Sequence, residues 1–244
     1  MNQSSRREAR AKPDPGRPSG SCPGAAIYAP EGLAEGLAAL AGEAVFVEIL
    51  QQAGAPRFRR RRNGFGTLLH IILEQQVSID AAAAMHHRLV GLCRPLAPEP
   101  FLALDDGTLR SCGFSRQKMS YARDLAKAVA DGRFDFARLA GADDAAALAE
   151  LLGIRGIGRW SAEIYLLFAL GRPDVWPAAD LGLQVAIGDH LGLASRPSEI
   201  ELRRRGDAWR PWRSVAACLF WQSYLHTRGR AAPLLPPELY AGSG

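Results

Sequence analysis

Lysine is nearly missing from this chain. Of 30 basic residues among 244, only Lys12, Lys118 and Lys127 are lysines, and none follows Lys127. The chain beyond Lys127 therefore offers no side-chain amine that could attack a carbonyl or sugar carbon. Cysteine is scarce as well. Cys22, Cys93, Cys112 and Cys218 stand far apart with no C-x-x-C cluster, which excludes a zinc-ribbon or iron–sulfur pattern and leaves reduced thiols. His86, His87 and the other histidines show no metal-like arrangement. No apolar run approaches the roughly 20 residues needed to cross a bilayer. The first 25 residues are basic and rich in Pro, Gly and Ser, without an apolar stretch after the basic one. That argues against a signal peptide and for a disordered basic tail, 1–25, on a cytoplasmic protein.

What is present is arginine. The formal charge is +5 and the sequence pI about 9.3. A guanidinium grips phosphate in a forked geometry, so an Arg-rich basic chain leans toward nucleic acid, although a GC-rich genome would produce the same bias. The run RFRRRRN, Arg57 to Asn63, reads as a basic loop that is either solvated or in contact with a nucleic-acid backbone.

Apolar periodicity is helical almost throughout, and no alternating run of convincing length appears, so the chain is expected to be all-α. Leu33, Leu37 and Leu40 share a helix face. A second helix carries Val45 to Leu50 and ends at Gly54–Pro56. The pattern then predicts helices over 65–76, 79–93, 116–130, 143–152, 159–170, 181–191, 198–205 and 214–227, with short pieces at 98–104 and 106–111. Ser78 and Ser115 are placed as N-caps, and Asp131–Gly132 as a stop.

The stretch LLGIRGIGRWSAEIYLLFALGRPDVWPAADLGLQ, Leu151 to Gln184, carries most of the functional signal. Two helices joined by a short glycine turn form an antiparallel hairpin. Gly156 and Gly158 would permit positive φ and close backbone approach, with Ile157 as an apolar plug. The turn leaves unpaired N–H groups at the start of the helix beginning at Arg159, a ready site for phosphate, although a plain glycine C-cap explains the same residues. Asp180 lies in an apolar run where a helix N-cap would sit.

The string LLGIRGIGRWSAEI resembles the helix-hairpin-helix of the HhH-GPD DNA glycosylase superfamily, within it the alkylated-base branch, DNA-3-methyladenine glycosylase II. IILEQQVS (Ile71–Ser78) resembles the family's glutamine-rich segment that enters the duplex. CGFSRQKMSYARDLAKAV (Cys112–Val129), VWPAADLGLQ (Val175–Gln184) and RPWRSVAACLFW (Arg210–Trp221) resemble its G-x-S-x-x-K block, aspartate loop and closing helix. The four stretches fall in the family's order over about 60–225. The family hairpin often reads L-P-G-I-G; here Arg155 replaces the proline. The chain resembles the short all-helical form, without a β-rich N-terminal domain.

The resemblance implies two helical lobes with a DNA cleft between them, a glycosylase domain over 26–244 and the hairpin at about 143–170. Asp180 takes the catalytic position. Trp160, Trp221, Ile164, Leu181 and Tyr165 match base-pocket positions, with Ile164 and Leu181 aliphatic where some relatives carry aromatics. Gln75 and Gln76 match the wedge. Gly156, Gly158, Arg159 and Lys118 match phosphate contacts. The carbonyls of Leu152, Ile154 and Ile157 match a structural monovalent cation site, Na or K. Arg213 is expected to pair with carboxylates rather than react. Members that cut the strand place a lysine just after the hairpin glycines; here Arg159, Trp160 and Ser161 follow. The implied activity is hydrolytic release of 3-methyladenine or 7-methylguanine from double-stranded DNA by a monomer, without lyase activity or a required cofactor. The alternatives are another damaged base on the same scaffold (hypoxanthine, ethenoadenine, uracil) and a non-catalytic hairpin module that only binds DNA.

Overall fold

Short polar side chains set most helix starts in this protein. Ser78, Asp105, Ser115, Asp135, Asp143, Asp180 and Ser198 each accept the backbone N–H three residues on, satisfying a donor that the helix itself leaves open. Ser198 forms a full capping box with Glu201. The computed structural model describes residues 26–56, 59–231 and 235–241; the expected tail at 1–25 and Arg57 lie outside the described residues.

Among the described residues thirteen α-helices follow one another: α1 (Pro30–Leu40), α2 (Ala44–Ala53), α3 (Phe65–Glu74), α4 (Ile79–Leu92), α5 (Pro98–Leu102), α6 (Asp106–Ser111), α7 (Arg116–Ala130), α8 (Phe136–Gly141), α9 (Asp144–Leu152), α10 (Arg159–Phe168), α11 (Leu181–His190), α12 (Glu199–Gly206) and α13 (Arg213–Thr227). No strand occurs among the described residues; one isolated antiparallel bridge joins Arg61 to Tyr240. The expected all-α architecture is what the structure shows.

The helices pack in two groups. In one, α3 lies against α4, α7 and α10, with α5 on α7 and α9 on α10. In the other, α13 lies against α1, α2 and α11, so the first and last α-helices of the described residues meet there. Phe46, Trp209 and Phe220 pack edge to face or tilted at 5.3–5.5 Å in this second core. The C-terminal stretch 235–241 runs back along 60–62, with Arg62 N–H on the Leu239 carbonyl at 2.7 Å and Ala241 N–H on that of Arg60 at 3.0 Å.

Two helices end two residues earlier than expected and one helix was not expected; α10 stops at Phe168 rather than at residue 170. The third helix stops at Glu74 rather than Gln76, because Gln76 is held at φ 57, in the left-handed region. The short helix α8 was not expected; at six residues it is too brief to show a period.

The hairpin joins α9 to α10. Gly156 has φ 89, and a Cβ there would sit 2.2 Å from the Tyr121 ring. Gly158 behaves otherwise: it is the N-cap of α10 at φ −85, with nothing within 4 Å of a would-be Cβ. The expectation of positive φ therefore holds at Gly156 and is corrected at Gly158, whose backbone any residue adopts. Ile157 is buried, as an apolar plug should be.

An ionic cluster is buried under α3 and α4. Arg61 pairs with Glu74 through two contacts of 3.2 and 3.3 Å. His70 Nε2 lies 3.5 Å from Glu74, the His70 and His86 rings meet at 4.9 Å, and His86 Nε2 lies 3.4 Å from Glu238. Burial pushes the Glu74 carboxyl up, but Arg61 and His70 outweigh it and hold it at about 2. Burial, then the neighbouring His70, push His86 down to about 3, against the pull of Glu74.

Two expectations follow from these features. Gly156→Ala should lose at least about 2 kcal/mol of stability, from the left-handed φ and the Tyr121 overlap together. Gly158→Ala should leave the melting temperature nearly unchanged; equal losses at both positions in thermal denaturation would contradict the turn as described. Acid should also weaken the fold. Both His86 and Glu74 bind protons more readily unfolded, so stability present at neutral pH is lost as pH falls, from 6.5 toward 3 for His86 and from 4.5 toward 2 for Glu74. Replacing His86 by Leu should flatten urea-denaturation stability between about pH 6.5 and 5. A wild-type stability that is level across that window would remove His86 as a contributor.

Candidate active site

Asp180 is the meeting point. It caps α11, with Oδ1 accepting the Leu183 N–H at 2.9 Å. The same oxygen accepts the Trp221 indole N–H at 2.8 Å, and Oδ2 accepts the Trp160 indole N–H at 3.0 Å. Trp160 comes from the first turn of α10 and Trp221 from α13, so the carboxylate is gripped from both helix groups. Three donors aimed at one carboxylate fix both its oxygens in direction.

The loop before Asp180 is rigid for local reasons. Pro173 and Pro177 restrict it, Trp176 is buried with its N–H on the Leu202 carbonyl at 2.8 Å, and Asp180 N–H closes a turn on the Pro177 carbonyl at 2.8 Å. Arg213 grips Asp174 through both carboxylate oxygens, at 2.6 and 3.0 Å, the bracing expected of it. Gly182 leaves room beside the carboxylate: a Cβ there would lie 3.3 Å from Asp180 Oδ1.

Of the residues matched to a base pocket, Trp160 and Trp221 are half-buried and Leu181 is 55% exposed. Their position beside Asp180 leaves ring and aliphatic surface next to the carboxylate. Ile164 is buried one turn along α10 from Trp160. Tyr165 is a correction. It is fully buried, its hydroxyl donates to Asn63 Oδ1 at 2.6 Å and accepts the Gly64 N–H at 2.8 Å, and burial pushes its ionisation far upward. It is a core residue that anchors the start of α3, with no face toward Asp180's surroundings.

The two glutamines separate. Gln75 turns inward, donating to the Gly156 carbonyl at 2.9 Å and to Ser161 Oγ at 3.0 Å, so it braces the hairpin instead of projecting as a wedge. Gln76 is exposed at the tip of the turn, flanked by exposed Val77 and Ile79. Its left-handed backbone is an unfavourable conformation held by the surrounding structure, a pattern common where a chain must present a side chain.

At the hairpin, the N–H groups of Gly156 and Gly158 meet no backbone acceptor among the described residues. Arg159 gives its Nε to Glu163 at 3.0 Å and stays exposed at its outer end. Lys118 does not reach outward: its Nζ donates to the Leu73 carbonyl at 2.6 Å, and partial burial lowers its pKa. It lines a cavity of about 240 Å³ with Gln75, Gln76 and Ser115. The reading of the arginine run is corrected at Arg61, which is buried; Arg59, over the Tyr240 ring at 4.8 Å, and Arg62, donating to the Tyr240 carbonyl at 2.8 Å, stay exposed. Among its described members, these three arginines serve internal contacts.

The sequence reading did not foresee the indole clamp on Asp180, because both tryptophans were matched as stacking surfaces. The spacing carries no signal for it: the partners lie 20 and 41 residues from Asp180.

Comparison with known proteins agrees with this geometry. The family model of the HhH-GPD superfamily base excision DNA repair proteins matches residues 69–211. A Bacillus subtilis relative, YfjP, named provisionally as a DNA-3-methyladenine glycosylase, is 32% identical over 168 residues, 65% of this chain; the chain spans 58% of that relative's length. The structure of Schizosaccharomyces pombe 3-methyladenine DNA glycosylase (Mag1) in complex with abasic DNA superposes with a TM-score of 0.73 at 25% identity, covering 78% of this chain and 96% of that one. A DNA-3-methyladenine glycosidase from Bacillus halodurans gives 0.67 at 32% identity, over 82% of this chain and 91% of that one. With the family model over more than half its length, and the hairpin, aspartate loop and closing helix in place, the chain belongs to the HhH-GPD superfamily of base excision DNA repair proteins.

Proposed function

We propose that the protein is a DNA glycosylase that hydrolyses the N-glycosidic bond of alkylated purines in double-stranded DNA. The observation that carries this reading is the Asp180 carboxylate, charged, oriented by three N–H donors and flanked by two indoles. Breaking the bond leaves positive charge on the sugar, as in glycoside hydrolysis. A fixed carboxylate beside that sugar stabilises the charge as it develops, and can also orient or deprotonate the attacking water. Alkylation at N3 or N7 makes the purine cationic and weakens the bond, so the leaving base needs little acid help. Stacking on electron-rich indole rings favours such a base.

Gln76 fills the gap left by the flipped nucleotide, and the Gly156 and Gly158 amides hold the backbone phosphate. A monovalent cation, Na or K, fits beside that phosphate. The Ile154 carbonyl already accepts the Ile157 N–H at 3.0 Å, whereas those of Leu152 and Ile157 meet no backbone N–H from outside the helices. Carbonyl oxygens are the hard ligands such an ion takes. Of the lysines in the described residues, Lys118 is tied to the Leu73 carbonyl and Lys127 lies exposed on α7, so the reaction ends with an intact abasic strand. We place the reaction in the cytoplasm, with the protein acting as a monomer; no helix of the described residues is long and apolar enough to cross a membrane.

Wild-type protein should release 3-methyladenine and 7-methylguanine from methylated duplex DNA, read by chromatography of the freed bases. Asp180→Asn keeps the cap oxygen and removes the charge, so it should bind abasic duplex normally and excise about 10²–10³-fold more slowly. Wild type that binds DNA and frees neither base would defeat the alkylpurine reading and direct the assay to deaminated and ethenoadenine substrates. A borohydride-trapped protein–DNA adduct would defeat the hydrolytic one. Trp221→Phe deletes one N–H to Asp180 and keeps a ring; single-turnover excision should fall about tenfold with DNA affinity held. A variant that loses affinity instead would make Trp221 a binding residue alone.

A further inference from the structure

Arg61 belongs to the basic run, yet it is 8% exposed and makes three kinds of contact that converge on the active site. Its guanidinium forks onto Glu74, the last residue of α3. The same guanidinium lies over the Phe168 ring, 4.9 Å from its centroid, and the Arg61 N–H donates to the Phe168 carbonyl at 2.8 Å. Phe168 in turn stacks on Trp221, with centroids 5.5 Å apart and planes inclined by 25°. Trp221 then donates to Asp180. Glu74 leads the other way, directly into Gln75, which ties down the hairpin, and exposed Gln76.

We infer that Arg61 is a positioning residue: it sets the tilt of Trp221 through Phe168, hence the direction of Asp180, and locks that arrangement to the end of α3 that presents Gln76. A planar fork suits both duties at once. Its two terminal nitrogens meet the two carboxylate oxygens, while its flat face covers the ring. Lysine would keep the charge but lose the fork and the flat face. Burial makes the ion pair with Glu74 insensitive to salt and fixes Arg61 in one rotamer. Phe168 thus touches both the guanidinium and the indole, so a swing of the Trp221 N–H from Asp180 disturbs the Arg61 contact as well.

This inference rests on the reading of Asp180 as the catalytic carboxylate, and its test has a readout that does not depend on excision. The chain has five tryptophans, so ¹⁵N-indole correlation spectra show five N–H signals, and Trp221→Phe and Trp160→Phe identify the two on Asp180. In Arg61→Lys the Trp221 signal should shift while those of Trp176 and Trp209 stay put. Single-turnover excision should fall about tenfold with affinity for abasic duplex unchanged, because a small misplacement of a reacting group costs rate before it costs binding. Phe168→Leu, which leaves the Arg61–Glu74 pair whole, should produce the same shift and rate loss, and decides the matter if Arg61→Lys does not fold. An unmoved Trp221 signal overturns the inference, as does a moved signal with full excision rate. Full excision by Asp180→Asn with the Trp221 shift still present would instead strike at the catalytic assignment and leave the contact chain standing.

Discussion

The structure depends on one carboxylate that accepts three N–H groups from three places in the chain. Leu183 offers a backbone donor from the first turn of α11, and Trp160 and Trp221 offer indole donors from α10 and α13. Helix α10 belongs to one packing group and α11 and α13 to the other, so Asp180 joins the two. A cap aspartate and a reacting aspartate are often treated as rival readings of one residue. Here the cap residue and the proposed reacting residue are the same, and the cap bond fixes Oδ1 at the helix N-terminus.

Around that point the chain is arranged to keep backbone from drifting. The loop 173–180 is held by prolines and by the buried Trp176, and Arg213 grips its start at Asp174. On the opposite side Gln75 bonds the hairpin at Gly156 and Ser161. The hairpin turn and the segment that presents exposed Gln76 are therefore joined by one side chain. Tyr121 closes the same turn from above, packed where a Cβ of residue 156 would be.

How much of this was legible beforehand follows from the range of each interaction. Helix α7 matches its expected bounds because a cap serine opens it and Asp131–Gly132 ends it, both local signals. Asp180 as an N-cap was readable for the same reason. The aspartate loop, hairpin and closing helix were readable as a resemblance. Tyr165 and Arg61 were misread because their surroundings are assembled from residues far off in sequence: Tyr165 answers Asn63 and Gly64, and Arg61 answers Glu74 and Phe168. A run of arginines carries the same composition whether it faces water or the core. The end of α3 was placed two residues late because glutamine is a good helix former, and nothing in its propensity marks the left-handed turn at Gln76.

The packing of α13 on α1 and α2 has a consequence for the order in which the molecule comes into being. The helices α3, α4, α7, α9 and α10 lie within one continuous stretch and are made long before the C-terminus, whose residues 235–241 are added to that group last. The other group closes only when residues some 170 positions apart, such as Phe46 and Phe220, come together. On a ribosome the middle of the chain can settle while the ends wait, and Trp221 is among the last side chains to arrive. The grip on Asp180 is thus a late event of biosynthesis, and a product truncated before α13 would hold the hairpin segment and Asp180 without the Trp221 donor.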